Sequence, residues 1–587
     1  MAASTRPARR RTRPGLLAAG VVVALLAVAL VWLVVRGLAA RRDLVDAYDG
    51  TPVFRGDLLA GQLAAADVQL AAVRVEAGAA RRLTGDPVWR AAAALPWVGR
   101  PFAATRGVAL AADDLAVRVL PGLAEAADLL APARLRVTGD TFAVDRLRRA
   151  LPALSRAEGA LRAVAARLTA LPAVAFPGQV EHGRRALLAA VASFEGTVAD
   201  ASAFARIGPG LLGADGPRRY FVAVQNNAES RGTGGLVGAF LILDADHGRV
   251  HVERVGSDRE LRPAARPVAH LGAAYEHAYG ADAPTTSWSG SNVSANFPDA
   301  ARIWAGLWAA QSGERVDGAI AVDPVALSYL LAVTGPIGAT GAIGADNVVS
   351  VVESEIYALA PDQALRKQLL AGIARRAAAA VLSGRGNALD LVRALARAAG
   401  EHHLALWSSR ASEEAVLAAT PLGGALPVTT QPYAGLVVNN IAGNKLDYWL
   451  RRTVFYSGGG CAGTHRETVV SIRLTNAAPT GLPAYVTLRT DDPSHPHPPG
   501  STRIRVSLYA TAGARLLGVT LDGVPTTLSV AAEAGHPLFS TLVALARGQT
   551  RALLVRLLEP VAAGPPLVPV QPLAAPQLSA VTLPTCG

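Results

Sequence analysis

Cysteine is nearly absent from this chain. Cys461 and Cys586 are its only two, and neither sits in a Cys-x-x-Cys or Cys/His spacing, so nothing indicates a zinc site or a disulfide-dense scaffold. Neither has the neighbours of a thiolate nucleophile. Lysine is as scarce: Lys367 and Lys445 are the two, and arginine carries the other positive charges. That bias is what a GC-rich genome produces, so abundant arginine is poor evidence for phosphate binding. Aromatic residues make up only 5% of the chain, and alanine, leucine and valine carry most of an apolar content of 51%. The chain holds no His-Glu-x-x-His, no Gly-x-Ser-x-Gly, no P-loop and no dinucleotide-binding glycine pattern in a fitting context.

The net charge of +12 is unevenly placed. Arg6, Arg9, Arg10, Arg11, Arg13, Arg36, Arg41 and Arg42 give +8 within residues 1–42, which contain no acid, and leave +4 for the rest. The basic character belongs to a membrane anchor, and no nucleic-acid partner is expected. Residues 15–35, GLLAAGVVVALLAVALVWLVV, are free of charge and long enough to cross about 30 Å of hydrocarbon. No small-x-small cleavage site follows, so the segment reads as one retained helix. Five arginines precede it and three follow, which favours a cytoplasmic N-terminus and an extracytoplasmic remainder. Outside the cytoplasm Cys461 and Cys586 can pair; two unpaired thiols are the alternative.

The expected fold class is α+β multidomain. A cytoplasmic basic tail (1–14) and a transmembrane helix (15–35) lead into a helical stalk or bundle (43–205). In the bundle Leu154, Leu161, Val164 and Leu168 share one helical face. A mixed α/β core follows at 215–455, with Asp323-Pro324 capping a helix and the pairs Ile303/Leu307 and Trp304/Trp308 on another. Residues 456–587 alternate in short segments, including 469–474, 484–489, 503–509, 516–521, 541–545 and 551–557. They are expected to form an all-β sandwich of immunoglobulin-like type.

The stretch 220–240, YFVAVQNNAESRGTGGLVGAF, joins two apolar strands through a polar turn. Asn226, Asn227, Glu229 and Arg231, with the backbone N–H groups near Gly234 and Gly235, are candidates for an anion or ligand site. Asp258-Arg259 is a second polar cluster and Asn444-Lys445-Leu446-Asp447 a third. The bland alternatives are a hairpin whose amides satisfy their own turn, a local Glu229–Arg231 ion pair, and solvated surface charge. His402-His403 is expected to face solvent at a helix end. His495 and His497 lie in a proline-rich loop.

The pattern Gln225-Asn226-Asn227-x-Glu229-x-Arg231-x-Thr233-Gly234-Gly235 between two strands resembles a bacterial envelope family known as domain of unknown function 4012. Further patches at 296–298, 316–318 with 322–324, 334–336 and 444–448 extend the resemblance over roughly residues 43–560. It implies an anchored cell-envelope protein, associated in some members with surface polysaccharide, and no defined activity. Residues 299–337 also resemble part of the extracytoplasmic phosphotransferases of LytR-CpsA-Psr type. That likeness implies arginines gripping a polyprenyl pyrophosphate, Arg231 and Arg259 here, with Asp258 on a magnesium ion. The expected Arg-x-Asp-Thr pattern is absent. Two functions are therefore expected: a binding or scaffolding protein whose partners are the membrane and a glycan or polyprenyl-linked glycan, with no cofactor; or a divergent phosphotransferase using Mg.

Overall fold

The computed structural model describes residues 14–172, 178–338 and 342–584. The basic tail up to Arg13 and Cys586 lie outside them. The chain forms two compact units, one of residues 1–135 with 145–208, the other of residues 136–144 with 209–587.

The first unit is helical. Helix α1 (Pro14–Leu59) does not stop at the end of its apolar run but continues for 46 residues in all. From Val21 to Val35 its large side chains are exposed, Leu33 excepted. It is long and apolar enough to cross a membrane. Beyond Arg36 the same helix turns core-forming, and Ala40, Ala47 and Phe54 are buried. Helix α2 (Leu63–Leu83) returns antiparallel to it: Gly50 lies against Val73, and Arg36 Nη1 reaches the carbonyl of Leu83. Helix α3 (Arg100–Asp114) runs through a π turn (Leu115–Val119) into α4 (Leu120–Leu130). In α5 (Val144–Thr169) the face expected from the sequence is the buried one, with Leu154, Leu161, Val164 and Leu168 in the core. Helix α6 (Gly178–Leu211) is also long and apolar enough to span a bilayer, but it puts Leu187, Val191, Phe194 and Val198 into the bundle core.

Residues 136–142 depart from the helical expectation. They form a small hairpin, β1 (Arg136–Thr138) and β2 (Thr141–Phe142), turning at Gly139 with φ +43°. The hairpin joins the sheet of the second unit through Thr141 opposite Arg249. The other strands of this sheet are β3 (Arg218–Arg231), β4 (Gly234–Asp246), β5 (Arg249–Ser257), β6 (Gly318–Val322) and β7 (Leu404–Ser408). Their order is β1-β2-β5-β4-β3-β6-β7, antiparallel throughout except for the β3–β6 pair.

Alternation along the strands gives the sheet two unlike faces. Phe221, Phe240, Ala319, Ala321 and Trp407 point to one side, against α7 (Phe297–Ser312). There the ring centroids of Phe221 and Phe240 lie 5.8 and 5.2 Å from that of Trp308. Val222, Val224, Leu241, Leu243, Ile320 and Val322 point to the other side, towards α8 (Pro324–Thr334), α9 (Gln363–Leu382) and α10 (Ala388–Gly400). As expected, Asp323 caps α8, its Oδ1 accepting from the N–H groups of Val325 and Ala326 at 3.0 Å.

The remaining strands build two further sheets around one core. The four-stranded sheet has the order β14 (Ser529–Glu533), β15 (His536–Leu545), β11 (Thr502–Ala510), β8 (Ala434–Asn440). The six-stranded sheet has the order β13 (Val524–Pro525), β12 (Arg515–Leu521), β16 (Thr550–Pro560), β10 (His465–Asn476), β9 (Leu450–Gly458), β17 (Gln577–Thr582). Val438, Val454, Ile472, Ile504, Phe539 and Val555 meet in the core they share. The expected boundary at 455/456 falls inside β9, and β8 precedes it, so the core and the strand-rich region form one compact unit. Residues 484–489 are not a strand. Pro483 starts a short helical turn (Ala484–Thr487), which buries Val486 against Leu446 and Ile373.

Trp304 is fully buried and donates its Nε1–H to Ser291 Oγ at 2.8 Å. Trp304→Ala should cost about 3–5 kcal/mol, read as a lower urea midpoint by circular dichroism, with Trp304→Phe recovering most of the loss.

Candidate functional site

The polar hairpin is not a regular turn. Strand β3 breaks register with β4 between Asn226 and Ser230, so the intervening residues leave the ladder. Their freed N–H groups take carboxylate partners from elsewhere in the chain. Glu353, in a π turn (Val351–Glu355), accepts from Asn227 N at 3.0 Å and from Ala228 N. Asp447 Oδ2 accepts from Ser230 N at 2.9 Å and Ser230 Oγ at 2.6 Å. Asn226 Nδ2 donates to the Tyr357 hydroxyl at 2.7 Å, and Gln225 Nε2 to Thr233 Oγ1 at 2.6 Å. Asn227, completely buried, donates to the carbonyl of Pro572. The glycines are sterically required: Gly234 has φ +131°, and a Cβ on Gly235 would lie 2.2 Å from the Asn226 carbonyl oxygen.

Arg231 is the centre of this knot and only 7% exposed. Its Nε donates to Ser289 O at 2.8 Å, its Nη1 to Ser230 O and Asn440 O at 2.8 and 3.2 Å, and its Nη2 to Glu229 Oε1 at 3.0 Å. Lys445 closes on the other oxygen of Glu229. Gln571 donates to the Arg231 carbonyl at 2.7 Å. An anion would have to displace these partners from inside packed protein. The expected anion site around Asn226, Asn227, Glu229 and Arg231 is therefore a closed structural network. Burial lowers the Arg231 guanidinium to about 10 and the Lys445 ammonium to about 8, and it raises the Glu353 carboxyl to about 8. Asp447 is raised for the same reason.

The second cluster has partners of its own. Asp258 Oδ2 accepts from Lys367 Nζ at 2.6 Å, and Arg259 is exposed in a short 3-10 turn. Among the described residues Arg231 and Arg259 share no partner. His403 does not face solvent; its Nδ1 meets Asp323 Oδ2 at 2.6 Å, and its side chain is 9% exposed. His495 stays exposed beside Asp492. The loop with Cys461 follows β9, which β17 flanks in parallel, and Arg466 donates to the Pro584 carbonyl at 3.1 Å. The described chain thus ends close to that loop.

An open space in the second unit lies on the aliphatic face of the seven-stranded sheet. A cavity of about 270 Å³ sits between the sheet and helices α8, α9 and α10. Val222, Val224, Leu241, Leu243, Ile320 and Val322 form its floor, and Leu370, Ile373, Ala374 and Ala377 of α9 part of its roof. Its polar lining is confined to Gln225, Asn226 and the Asp323 held by His403. No arginine or lysine is among the described lining residues. Sequence reasoning missed this site because each strand reads as buried core. The one signal was the aliphatic, aromatic-free composition of α9 opposite that face.

Comparison with known proteins bears on the hairpin. Residues 215–357 match the family described as Protein of unknown function (DUF4012). The matched segment spans β3 to the π turn and so includes both Asn227-Ala228 and their partner Glu353. It is shorter than the region over which the patches were read. No curated protein and no solved structure matches the chain. Two of the patches that carry the resemblance, 225–235 and 444–448, meet in space through Ser230–Asp447 and Glu229–Lys445.

The folded Glu353 carboxyl at about 8 lies above its ordinary 4.5. The folded state therefore binds the extra proton between those values, and the stability it contributes is complete below pH 4.5 and lost as pH rises to 8. The denaturant midpoint should fall across that window, and Glu353→Gln should make the fall shallower.

Proposed function

We propose that this is a single-pass, extracytoplasmic cell-envelope protein that holds the apolar chain of a lipid-linked glycan, as a binding or scaffolding component of surface-polysaccharide or cell-wall assembly. The observation that carries the reading is the aliphatic cavity. Its volume is near the lower end of the roughly 300–1,000 Å³ common for small-molecule sites, enough for a segment of chain. Gln225 and Asn226 reach its lining, but their amide groups are spent on Thr233 and Tyr357, so the cavity suits an apolar occupant. The exposed apolar run of α1 supports membrane anchoring and keeps the cavity in a lipid-facing protein. The two sheets around one core are read as an immunoglobulin-like sandwich with a structural role.

The alternative, a phosphotransferase on a polyprenyl-pyrophosphate-linked glycopolymer, is less well supported. It needs Arg231 and Arg259 free to grip phosphate together, and Arg231 is internal and fully engaged. Asp258, the candidate metal ligand, is paired with Lys367.

Lipids extracted from the membrane-purified full chain and identified by mass spectrometry test the reading. The wild type should carry an isoprenoid or acyl lipid that Ala374→Trp, which fills the cavity, has lost. A melting temperature for the variant equal to or above the wild type would show that the fold survives. Absence of lipid from both proteins would refute the reading. Extracytoplasmic placement also expects a Cys461–Cys586 bridge, seen as one linked peptide pair in a non-reducing digest; two alkylated thiols would count against that placement.

A further inference from the structure

The first unit carries an exposed apolar tip. Between the short helix Pro87–Ala93 and α3 the chain reads Ala94-Leu95-Pro96-Trp97-Val98-Gly99. Trp97 is 83% exposed, Val98 68% and Leu95 55%. Water-facing turns are normally polar, yet each of these three large apolar side chains is more than half exposed. The backbone makes the exposure deliberate. Trp97 holds φ +66°, a left-handed conformation in which glycine or asparagine would be relaxed. Gly99 cannot be larger, because a Cβ there would lie 2.4 Å from the Leu95 carbonyl oxygen.

The surroundings fix where this tip lies along α1. Helix α2 runs back along α1 and ends where Arg36 Nη1 reaches Leu83 O. Arg36 also pairs with Asp86 Oδ2 at 3.2 Å and covers the Trp32 ring at 4.6 Å. Trp89 and Phe102, ring centroids 5.4 Å apart, bury Leu33, and Trp89 lies against Gly37. Segments 84–93 and 100–102 are thus clamped to the last turn of the apolar run and the first residues beyond it. The loop they enclose sits at that same level. In sequence the loop is flanked by Arg81, Arg82, Arg90, Arg100 and Arg106; Arg81 is paired with Asp113, and the Arg100 guanidinium lies 5.9 Å from the Trp97 ring.

We propose that Leu95, Trp97 and Val98 insert into the lipid headgroup region beside α1, giving the protein a second membrane contact. The occupant is the bilayer interface. The tip lies level with the end of the exposed apolar run of α1, tryptophan is the side chain favoured at that depth, and Arg100 beside Trp97 suits anionic headgroups. The device would hold the bundle at a fixed height and tilt, where a single helix leaves both free. The inference rests on α1 crossing the membrane.

The test uses the full chain in lipid nanodiscs made with and without brominated lipid, comparing tryptophan emission of the wild type, Trp97→Phe and Trp32→Phe. The difference between wild type and a variant isolates one of the eight tryptophans. Trp32 lies in the apolar run, so its difference signal reports the anchor. Quenching of most of both difference signals is expected. A quenched Trp32 with an unquenched Trp97 would overturn the interfacial contact alone and leave the tip to a protein partner. An unquenched Trp32 would overturn the anchor and the proposal with it.

Discussion

The second unit depends on the cost of keeping four charged groups out of water. Arg231, Glu229, Lys445 and Asp447 are each under a tenth exposed. An unpartnered charge at such depth costs several kcal/mol, far more than the about 0–1 kcal/mol at stake in a surface pair. The chain answers with geometry. Glu229 is taken on one oxygen by Arg231 and on the other by Lys445; Asp447 is taken by the amide and hydroxyl of Ser230 and by Asn440. The donors come from β3, β8 and the loop before β9. The strands of the seven-stranded sheet and of the other two sheets can thus meet in one arrangement only, because any slip strands a charge.

That constraint also explains the bulge. A regular β3–β4 ladder would use the N–H groups of Asn227, Ala228 and Ser230 within the sheet. Releasing them lets Glu353 and Asp447 reach in. Glu353 comes from the helical layer that also supplies α8 and α9, so the bulge ties that layer to the sheet at one end of the aliphatic face. Further along, the contact is thin. Alanines 374, 377 and 378 face Val222, Val224 and Ile320, and side chains this small do not fill the gap. The opposite face is filled by larger side chains, Phe221, Phe240, Trp304 and Trp308 among them. The cavity is therefore a consequence of which residues alternate onto which face.

The first unit follows a different rule. Its core is a ridge of leucine, valine and alanine at helical spacing, and its ion pairs are mostly at the surface. Helix α1 changes solvent along its own length: from Val21 to Val35 every large side chain but Leu33 is exposed, whereas Ala40, Ala47 and Phe54 are buried. One uninterrupted helix thus serves two environments. Trp89 and Phe102 pack on Leu33 where the two meet.

Much of this was legible in order along the chain, because its signals are local. The apolar run of α1, the face of α5, the Asp323-Pro324 cap and most strands of the two C-terminal sheets follow from periodicity and capping chemistry within a few residues. The hairpin at 225–235 was recognisable as polar and unusual, and a structural turn was one of its open readings. Its meaning was not legible, since Arg231 meets Asn440 209 residues away and Gln571 340 residues away. The same holds for His403, a helix-end histidine that Asp323 claims, and for residues 484–489, whose alternation gives way to the burial of Val486. Sequence by itself determined the anchor-like helix, the helical and strand-rich regions and the family likeness of the central segment, because hydrophobic periodicity and turn residues act over short range. Only the tertiary structure decided that the candidate anion site is closed and that an aliphatic cavity lies beside it. Whether a polar group is spent or free is set by partners that folding brings in from distant parts of the chain.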